Sequence, residues 1–252
     1  MANNVSWEKI FKDNKILEHD FLKDPFNLSA GMIKKSVQNF KKTAEKEVRI
    51  LCKMDTRESI PNIMKKNNLF LLPVINGQYV IVKGEGYIDI PDIMGVPEIY
   101  NTKLDFNLDT SKIGNSEMQH LDFAYASSLI RTFMEDSTLV LTIRGRKYTP
   151  EFSFNVGNQN INVKSVQTEV DAGYEGKDKI VLIEAKNSKT KNTIIRQLYY
   201  PFRQWSHHTH KEVFTLFFEK RGGEYLIWLY KFLDENDYNS IKLIKSKKYK
   251  II

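Results

Sequence analysis

The feature that most constrains the fold is a run of four apolar β-forming residues, IVLI (180–183), that ends in the sequence EAK (184–186). Such a run is typical of a strand that is buried on both faces of a sheet. Side chains two residues apart in a strand project from the same face, so Glu184 and Lys186 leave the end of this strand together. Stability alone does not explain an acid and a base at that place, and the pattern indicates a site.

The remaining sequence surrounds this strand with further helices and strands. Asn76-Gly77, between two β-rich runs, is a strong hairpin signal, and Ser116 with Gln119 forms a plausible capping box at the start of a helix. The expected elements are a mostly helical segment 29–54, a hairpin within 69–90, a helix within 117–136, strands at 138–143, 147–156, 161–171 and 180–186, a helix at 192–205 that contains Pro201, a hairpin around KRGG (220–223), and a final strand in the basic tail.

This order of elements predicts an α/β (α+β) fold with a mixed central sheet flanked by helices. We expect residues 1–115 to form an N-terminal helical and hairpin region, and residues 116–252 to form the core that contains the EAK strand.

The net charge of +7 is unevenly distributed along the 252 residues. From Lys186 to the end there are 14 Lys and Arg against 6 Asp and Glu, whereas the rest of the chain carries 24 against 25. A basic excess confined to one part of the chain favours a polyanionic partner such as nucleic acid. A solvated basic surface without a partner is the alternative.

The sequence favours a cytoplasmic protein and gives no sign of a membrane anchor. No apolar run approaches the roughly 18 residues that a membrane helix needs, and the start MANNVSWEKI lacks the apolar core of a signal peptide. The single cysteine, Cys52, excludes an internal disulfide framework, and its helical surroundings indicate a core residue.

A second carboxylate lies upstream of the EAK strand. A short loop (172–179) with two glycines can bring the strand that ends near Asp171 back against the strand that begins at Ile180. Asp171, Glu184 and the carbonyl of Ala185 would then offer the hard oxygen ligands that Mg²⁺ prefers, with Lys186 beside them to orient water or stabilise charge on phosphate. An ion pair at a strand end is the alternative.

Longer motifs carry a resemblance to a known family. QTEVDAGYEG (167–176), IVLIEAKN (180–187) and IRQLYYPFRQW (195–205) resemble a group of type II restriction endonucleases in the PD-(D/E)xK nuclease superfamily. MDTRESIPNIMKKNNLFLLPV (54–74) and DYNSIKLIKSKKY (237–249) extend the similarity to roughly residues 45–252. Val170 replaces the proline of the superfamily name.

The resemblance implies a restriction-endonuclease-like core and Mg²⁺-dependent hydrolysis of double-stranded DNA to 5′-phosphate ends, within a prokaryotic restriction–modification system. The implied catalytic residues are Asp171, Glu184 and Lys186. Asp171, Glu184 and the Ala185 carbonyl would be metal ligands. Glu169, on the same strand face as Asp171, would be either an extra ligand or a solvated carboxylate.

The helix after the motif adds candidate DNA contacts. Arg196, Tyr200 and Arg203 recur on one side of it, and arginine binds phosphate in a bidentate manner; an ordinary solvated helix surface is the alternative. Related nucleases often place a glutamine on this helix, which points to Gln197. Arg144 and Arg146 lie in a basic turn that would touch phosphates, although a solvated turn explains them equally well.

Three functions remain open at this point. The first is a site-specific endonuclease, which would act as a homodimer if its site is palindromic, with residues 1–115 assisting recognition or dimerisation. The second is a DNA repair or nicking nuclease with the same chemistry. The third is a non-catalytic DNA-binding protein in which Glu184 and Lys186 are structural.

Overall fold

The computed structural model describes residues 3–252, so the first two residues of the expected N-terminal region lie outside it. The helices are α1 Asn4–Asp13, α2 Ala30–Val37, α3 Thr43–Lys46, α4 Val48–Leu51, α5 Asn62–Lys66, α6 Glu117–Ala126, α7 Leu129–Met134 and α8 Arg196–Ser206. Short 3₁₀ turns lie at Ile16–Glu18, Arg57–Ser59 and Thr110–Lys112. Within residues 3–252, no helix has the length and apolar character needed to cross a membrane.

The strands form one large sheet and three small ones. Their bounds are β1 Phe26–Ser29, β2 Leu69–Ile75, β3 Gln78–Lys83, β4 Tyr87–Asp89, β5 Glu98–Tyr100, β6 Val140–Tyr148, β7 Phe152–Val156, β8 Gln159–Val163, β9 Gln167–Glu175, β10 Lys179–Lys186, β11 Asn192–Ile194, β12 Glu212–Arg221, β13 Glu224–Phe232 and β14 Ile241–Ile251. The large sheet has the order β5-β14-β13-β12-β10-β9-β6. It is mixed, because β10 with β12 and β14 with β5 are parallel while the other pairs are antiparallel. The expected mixed sheet flanked by helices is confirmed.

β10 separates two hydrophobic cores, one on each face of the sheet. Ile180 and Leu182 pack in the core that also contains residues of α8 and of the N-terminal region, whereas Val181 and Ile183 pack in the core that contains residues of α6 and α7. Alternating side chains of one strand therefore serve different cores, which explains why the run is apolar at every position.

Within the N-terminal region, β1, β2 and β3 form a second layer over α8, whereas β5 joins the large sheet. The predicted hairpin is confirmed as β2 and β3, joined at Gly77, whose φ of 75° suits a glycine in a tight turn. β1 adds to the other edge of β3. Tyr200 of α8 donates a hydrogen bond from its hydroxyl to the Pro73 carbonyl of β2 at 2.9 Å, so α8 is enclosed between the large sheet and this smaller one.

Three expected helices differ in extent from the observed ones. The segment 29–54 contains the separate helices α2, α3 and α4. The helix opened by Ser116, whose hydroxyl accepts a hydrogen bond from the Gln119 N–H as expected, ends at Ala126 and is followed by α7 after Ser128 adopts a φ of 67°. The start of the segment 192–205 is strand β11, because its backbone pairs with β4.

Candidate functional site

A bulge in β9 determines the direction of the Asp171 side chain. Between the pairs Ile143–Gly173 and Gly145–Val170, β9 advances by three residues while β6 advances by two. Val170 therefore packs in the α8-side core, although Ala172, two residues on, packs in the opposite core. Asp171 lies where β9 changes face, and a bulge of this kind re-aims side chains.

Asp171 also replaces backbone pairing at the end of the β9–β10 ladder. The last paired residues are Ala172 and Ile183, and beyond them the Asp171 carboxylate accepts a hydrogen bond from the Ala185 N–H at 2.8 Å. In an extended strand the N–H and C=O of one residue point toward the same neighbour. The Ala185 carbonyl is thus directed to the side on which β9 has separated from β10.

Glu184 and Lys186 continue the α8-facing side of β10. Their side chains are 12% and 27% exposed, and the Lys186 ammonium forms an ion pair with the Glu184 carboxylate. The expectation that both project from the same face of a buried strand end agrees with this contact. Because the carboxylate is nearly buried, the pair differs from the solvated surface ion pairs that contribute little to stability.

The pKa values of the three groups reflect burial first and the charge of their neighbours second. Burial raises the pKa of Glu184 to about 7, and the negative charge of Asp171 adds to the shift while Lys186 opposes it. Burial also raises the pKa of Asp171, although the hydrogen bond from Ala185 and the charge of Lys186 lower it. Burial alone would lower the pKa of Lys186, but Glu184 and Asp171 more than offset it, so that pKa is raised.

These groups open into one cavity of about 550 Å³, the strand-end cavity. Strands β9 and β10, helix α8, the start of α6 and the segment after α4 all contribute to its wall. The lining residues are Lys53, Asp55, Glu117, Arg146, Gln167, Thr168, Glu169, Asp171, Glu184, Lys186, Arg196, Gln197 and Pro201.

Three charged lining residues were not among the sequence candidates. Lys53 and Asp55 come from the N-terminal region, and the Asp55 carbonyl accepts a hydrogen bond from the Ile194 N–H at 2.9 Å, which holds this segment at the cavity. Glu117, the first residue of α6, accepts a 3.3 Å hydrogen bond from the Asn187 N–H. Asp55 lies in the MDTRES motif and Glu117 in the capping box, so both motifs held a signal that could have identified them.

The start of α8 reaches the strand-end cavity, as expected for Arg196 and Gln197. An Arg196 guanidinium nitrogen lies 3.9 Å from an Asp55 carboxylate oxygen. The Gln197 side-chain oxygen accepts a 2.6 Å hydrogen bond from the Thr193 hydroxyl. Both side chains line the cavity with Asp171 and Glu184.

The other two predicted DNA-contacting residues of α8, Tyr200 and Arg203, do not line the cavity. Tyr200 is fully buried, so the expectation that it contacts DNA is corrected. Arg203 donates to the carbonyls of Ser153 and Glu235 at 2.9 and 2.6 Å, and it is not among the cavity residues. The reason is the second layer: the side of α8 that a two-layer fold would leave open is covered by the N-terminal region and by β7.

The two arginines of the basic turn lie in different places, one at the strand-end cavity and one against α6. Arg146 lines the strand-end cavity and its Nε lies 3.1 Å from the Glu169 carboxylate, with both side chains more than half exposed. Glu169 thus shares the cavity with Asp171 and is held by an exposed arginine. Arg144 instead forms an ion pair with Asp122 of α6 and does not line the cavity.

The oxygen atoms at the end of β10 supply some, but not all, of the ligands that a hard divalent cation needs. Within residues 3–252, no group of three or more His, Cys, Asp or Glu side chains stands close enough to form a complete metal site. Asp171, Glu184 and the Ala185 carbonyl are an incomplete oxygen set of the kind that Mg²⁺ takes when water and phosphate oxygens supply the rest. Burial raises the pKa of both carboxyl groups, and a cation placed beside them would stabilise their charged forms.

Comparison with family models divides the chain into two parts. A model described as Domain of unknown function (DUF6997) matches residues 82–250, and one described as Domain of unknown function (DUF6996) matches residues 4–81. Searches of curated proteins and of solved structures gave no significant match. The two matched parts meet at β3, so Lys53 and Asp55 come from the first part and the other cavity residues from the second.

Proposed function

We propose that this chain, which belongs to the family described as Domain of unknown function (DUF6997), is a Mg²⁺-dependent type II restriction endonuclease that hydrolyses double-stranded DNA at a specific sequence. Its core would be of the restriction-endonuclease-like, PD-(D/E)xK type. The observation that carries the proposal is the convergence of Asp171, Glu184 and Lys186 in one cavity at the point where β9 and β10 separate.

Each of these residues has a role that its surroundings support. Asp171 is aimed by the β9 bulge and fixed by the Ala185 N–H, which leaves its other oxygen and the Ala185 carbonyl to hold the cation. Glu184, buried and carrying a raised pKa, releases its proton most readily when positive charge is placed beside it. A bound Mg²⁺ would supply Lewis-acid polarisation of the phosphate.

Lys186 is suited to act on the phosphate or on the attacking water. Its ammonium is partly buried and held by Glu184, and its pKa is raised, so it stays protonated at neutral pH. A fixed cation in a site of low dielectric stabilises negative charge that develops on phosphate more strongly than a solvated lysine does. Arg196 and Arg146 provide further cations on the same cavity wall.

The basic C-terminal part of the chain and the need to cut both strands complete the proposal. The positive excess that begins at Lys186 matches a polyanionic substrate. Cutting two strands at a symmetric site calls for two equivalent active sites, so we propose a homodimer on palindromic DNA.

A digest of unmethylated plasmid and phage DNA tests the proposal. Wild-type protein with Mg²⁺ is expected to give discrete fragments, and EDTA is expected to abolish them. Lys186→Ala should lower the cleavage rate by about 100-fold or more, because a positioned charge that acts on the transition state is lost.

Lys179 offers a matched control on the same strand. Its side chain is also 27% exposed and paired with a 12% exposed carboxylate, that of Asp136, at the opposite end of β10. Lys179→Ala should leave the fragments unchanged. A smear of products would indicate a nonspecific or repair nuclease, and intact DNA under all conditions would reject the enzyme.

A further inference from the structure

A second cavity adjoins the strand-end cavity and belongs mainly to the N-terminal region. This N-terminal cavity has a volume of about 590 Å³ and lies among α2, α4 and the turn of the β2–β3 hairpin. The two cavities share lining residues, which are Lys53, Asp55, Gln167 and Arg196. Because one set of side chains borders both spaces, the two cavities adjoin across the boundary between the two matched parts of the chain, and together they are called the groove.

The N-terminal cavity is richer in cations than in acids. Its charged lining residues are the cations Lys34, Arg49, Lys53 and Arg196 and the acids Glu47 and Asp55. Lys34 and Arg49 are exposed, and neither forms an ion pair within residues 3–252. By contrast, Arg196 and Lys53 lie near Asp55, at 3.9 and 3.8 Å.

The charge therefore changes sign along the groove. The strand-end cavity is lined by five acids against four cations: the acids are Asp55, Glu117, Glu169, Asp171 and Glu184, and the cations are Lys53, Arg146, Lys186 and Arg196. The N-terminal cavity offers free cations on two helices that need no rearrangement to reach solvent. A phosphodiester chain suits this order, because the cleaved phosphate needs oxygen ligands for a metal while its neighbours need positive charge.

We infer that the N-terminal cavity binds the sugar–phosphate backbone of DNA as it leaves the strand-end cavity, with Lys34 and Arg49 each contacting a phosphate. This inference rests on the proposed function for the identity of the substrate. It gives the N-terminal region a role in positioning the substrate through sequence-independent contacts, since phosphate contacts fix register and carry no direct base readout.

The test is the salt dependence of binding to a fluorescently labelled duplex of random sequence, measured by anisotropy in EDTA so that no cleavage occurs. The variant Lys34→Gln/Arg49→Gln should lower the slope of log K against log[KCl] by about 1.8, because each lost phosphate contact removes about 0.9. Its dissociation constant should rise about tenfold or more at moderate salt. The variant Lys34→Arg/Arg49→Lys, which keeps both charges, should bind as wild type does.

Lys35 and Lys41 provide the matched control. Both are exposed, belong to the same N-terminal region and lie outside the two cavities, so Lys35→Gln/Lys41→Gln changes the net charge equally. Equal weakening by the two double variants would overturn the inference, even if wild-type protein cleaves DNA. If only Lys34→Gln/Arg49→Gln weakens binding and the wild-type protein never cleaves DNA, the backbone-binding inference is supported and the nuclease proposal is rejected. Absence of any DNA binding would reject both.

Discussion

The Asp171 carboxylate accepts a hydrogen bond from the Ala185 N–H at 2.8 Å, at the point where the β9–β10 ladder has already ended. The Asp171 side chain thereby takes the place of a backbone hydrogen bond between the two strands, and it lies in the same cavity as Glu184. The contact connects a β-bulge, which is a backbone feature, to the chemistry proposed for the strand-end cavity. Asp171 therefore has two roles: it accepts the Ala185 hydrogen bond, and it carries the negative charge proposed to bind a cation.

Substitution of Asp171 should separate these functions. Asp171→Asn keeps an oxygen acceptor for the Ala185 N–H and removes the charge, so we expect its unfolding free energy to stay within about 1 kcal/mol of wild type. Asp171→Ala leaves that N–H without its partner and should lose about 1–2 kcal/mol. Urea denaturation in EDTA measures both values. DNA cleavage should fall in both variants, and an Asp171→Asn protein that cleaves at the wild-type rate would contradict the proposed role.

Burial of Glu184 should make the stability of the metal-free protein depend on pH. Its pKa is raised from 4.5 to about 7 in the folded chain, so the folded state binds the proton more tightly than the unfolded state does. The unfolding free energy is therefore expected to fall as the pH rises from about 4.5 to about 7, by up to about 3 kcal/mol. Glu184→Gln should remove this part of the dependence. Superimposable pH profiles for the two proteins would show that Glu184 does not carry the shift.

Divalent cations should reverse that loss. At pH 8 the cavity holds its full negative charge, so Mg²⁺ is expected to raise the melting temperature of the wild-type protein by binding the folded state. Glu184→Gln should respond much less, since one of the two carboxylate ligands is gone. Differential scanning fluorimetry with and without Mg²⁺ measures the difference, with Na⁺ at equal ionic strength as the control. An equal response in the variant would place any bound ion elsewhere.

The thiol of Cys52 should be inert in the folded protein. Burial raises its pKa to about 12, although its hydrogen bond with Tyr79 lowers it, so little of the thiol is in the reactive thiolate form at pH 8. A thiol reagent such as DTNB is expected to react slowly in buffer and fully in urea. Rapid labelling of the native protein would contradict this prediction.

Tyr200 and Arg196, four residues apart on α8, should behave differently. Tyr200→Phe removes the 2.9 Å hydrogen bond to the Pro73 carbonyl and should cost about 1 kcal/mol of stability while DNA binding is retained. Arg196→Gln should weaken DNA binding with little effect on stability, because Arg196 lines the cavity and its pairing with Asp55 is loose. Weakened binding by Tyr200→Phe at unchanged stability would restore it as a DNA contact.

Short sequence patterns predicted those elements that depend only on neighbouring residues, such as apolar runs, turn residues and helix caps. β10 follows from its apolar run, the β2–β3 hairpin from Asn76-Gly77, and the start of α6 from Ser116 and Gln119. The face shared by Glu184 and Lys186 follows from the two-residue period of a strand, so two of the three proposed catalytic residues could be placed together from the sequence alone.

The rest depends on contacts between distant segments. Asp55 reaches the cavity through a hydrogen bond to Ile194, a pairing that periodicity does not encode. The β9 bulge is set by its register against β6, and Tyr200 is buried by a second layer over α8. An amphipathic pattern alone assigns such a helix one buried side, whereas this helix packs on two.

The most direct test of the nuclease is to sequence the DNA ends produced by the wild-type protein in Mg²⁺, beside those from Lys186→Ala and Lys179→Ala. We expect one recurring sequence at every end, with 5′-phosphates on both strands, from the wild type and Lys179→Ala but not from Lys186→Ala. If DNA treated with the wild-type protein has no more ends than untreated DNA, the proposal is contradicted, and Asp171, Glu184 and Lys186 are structural charges.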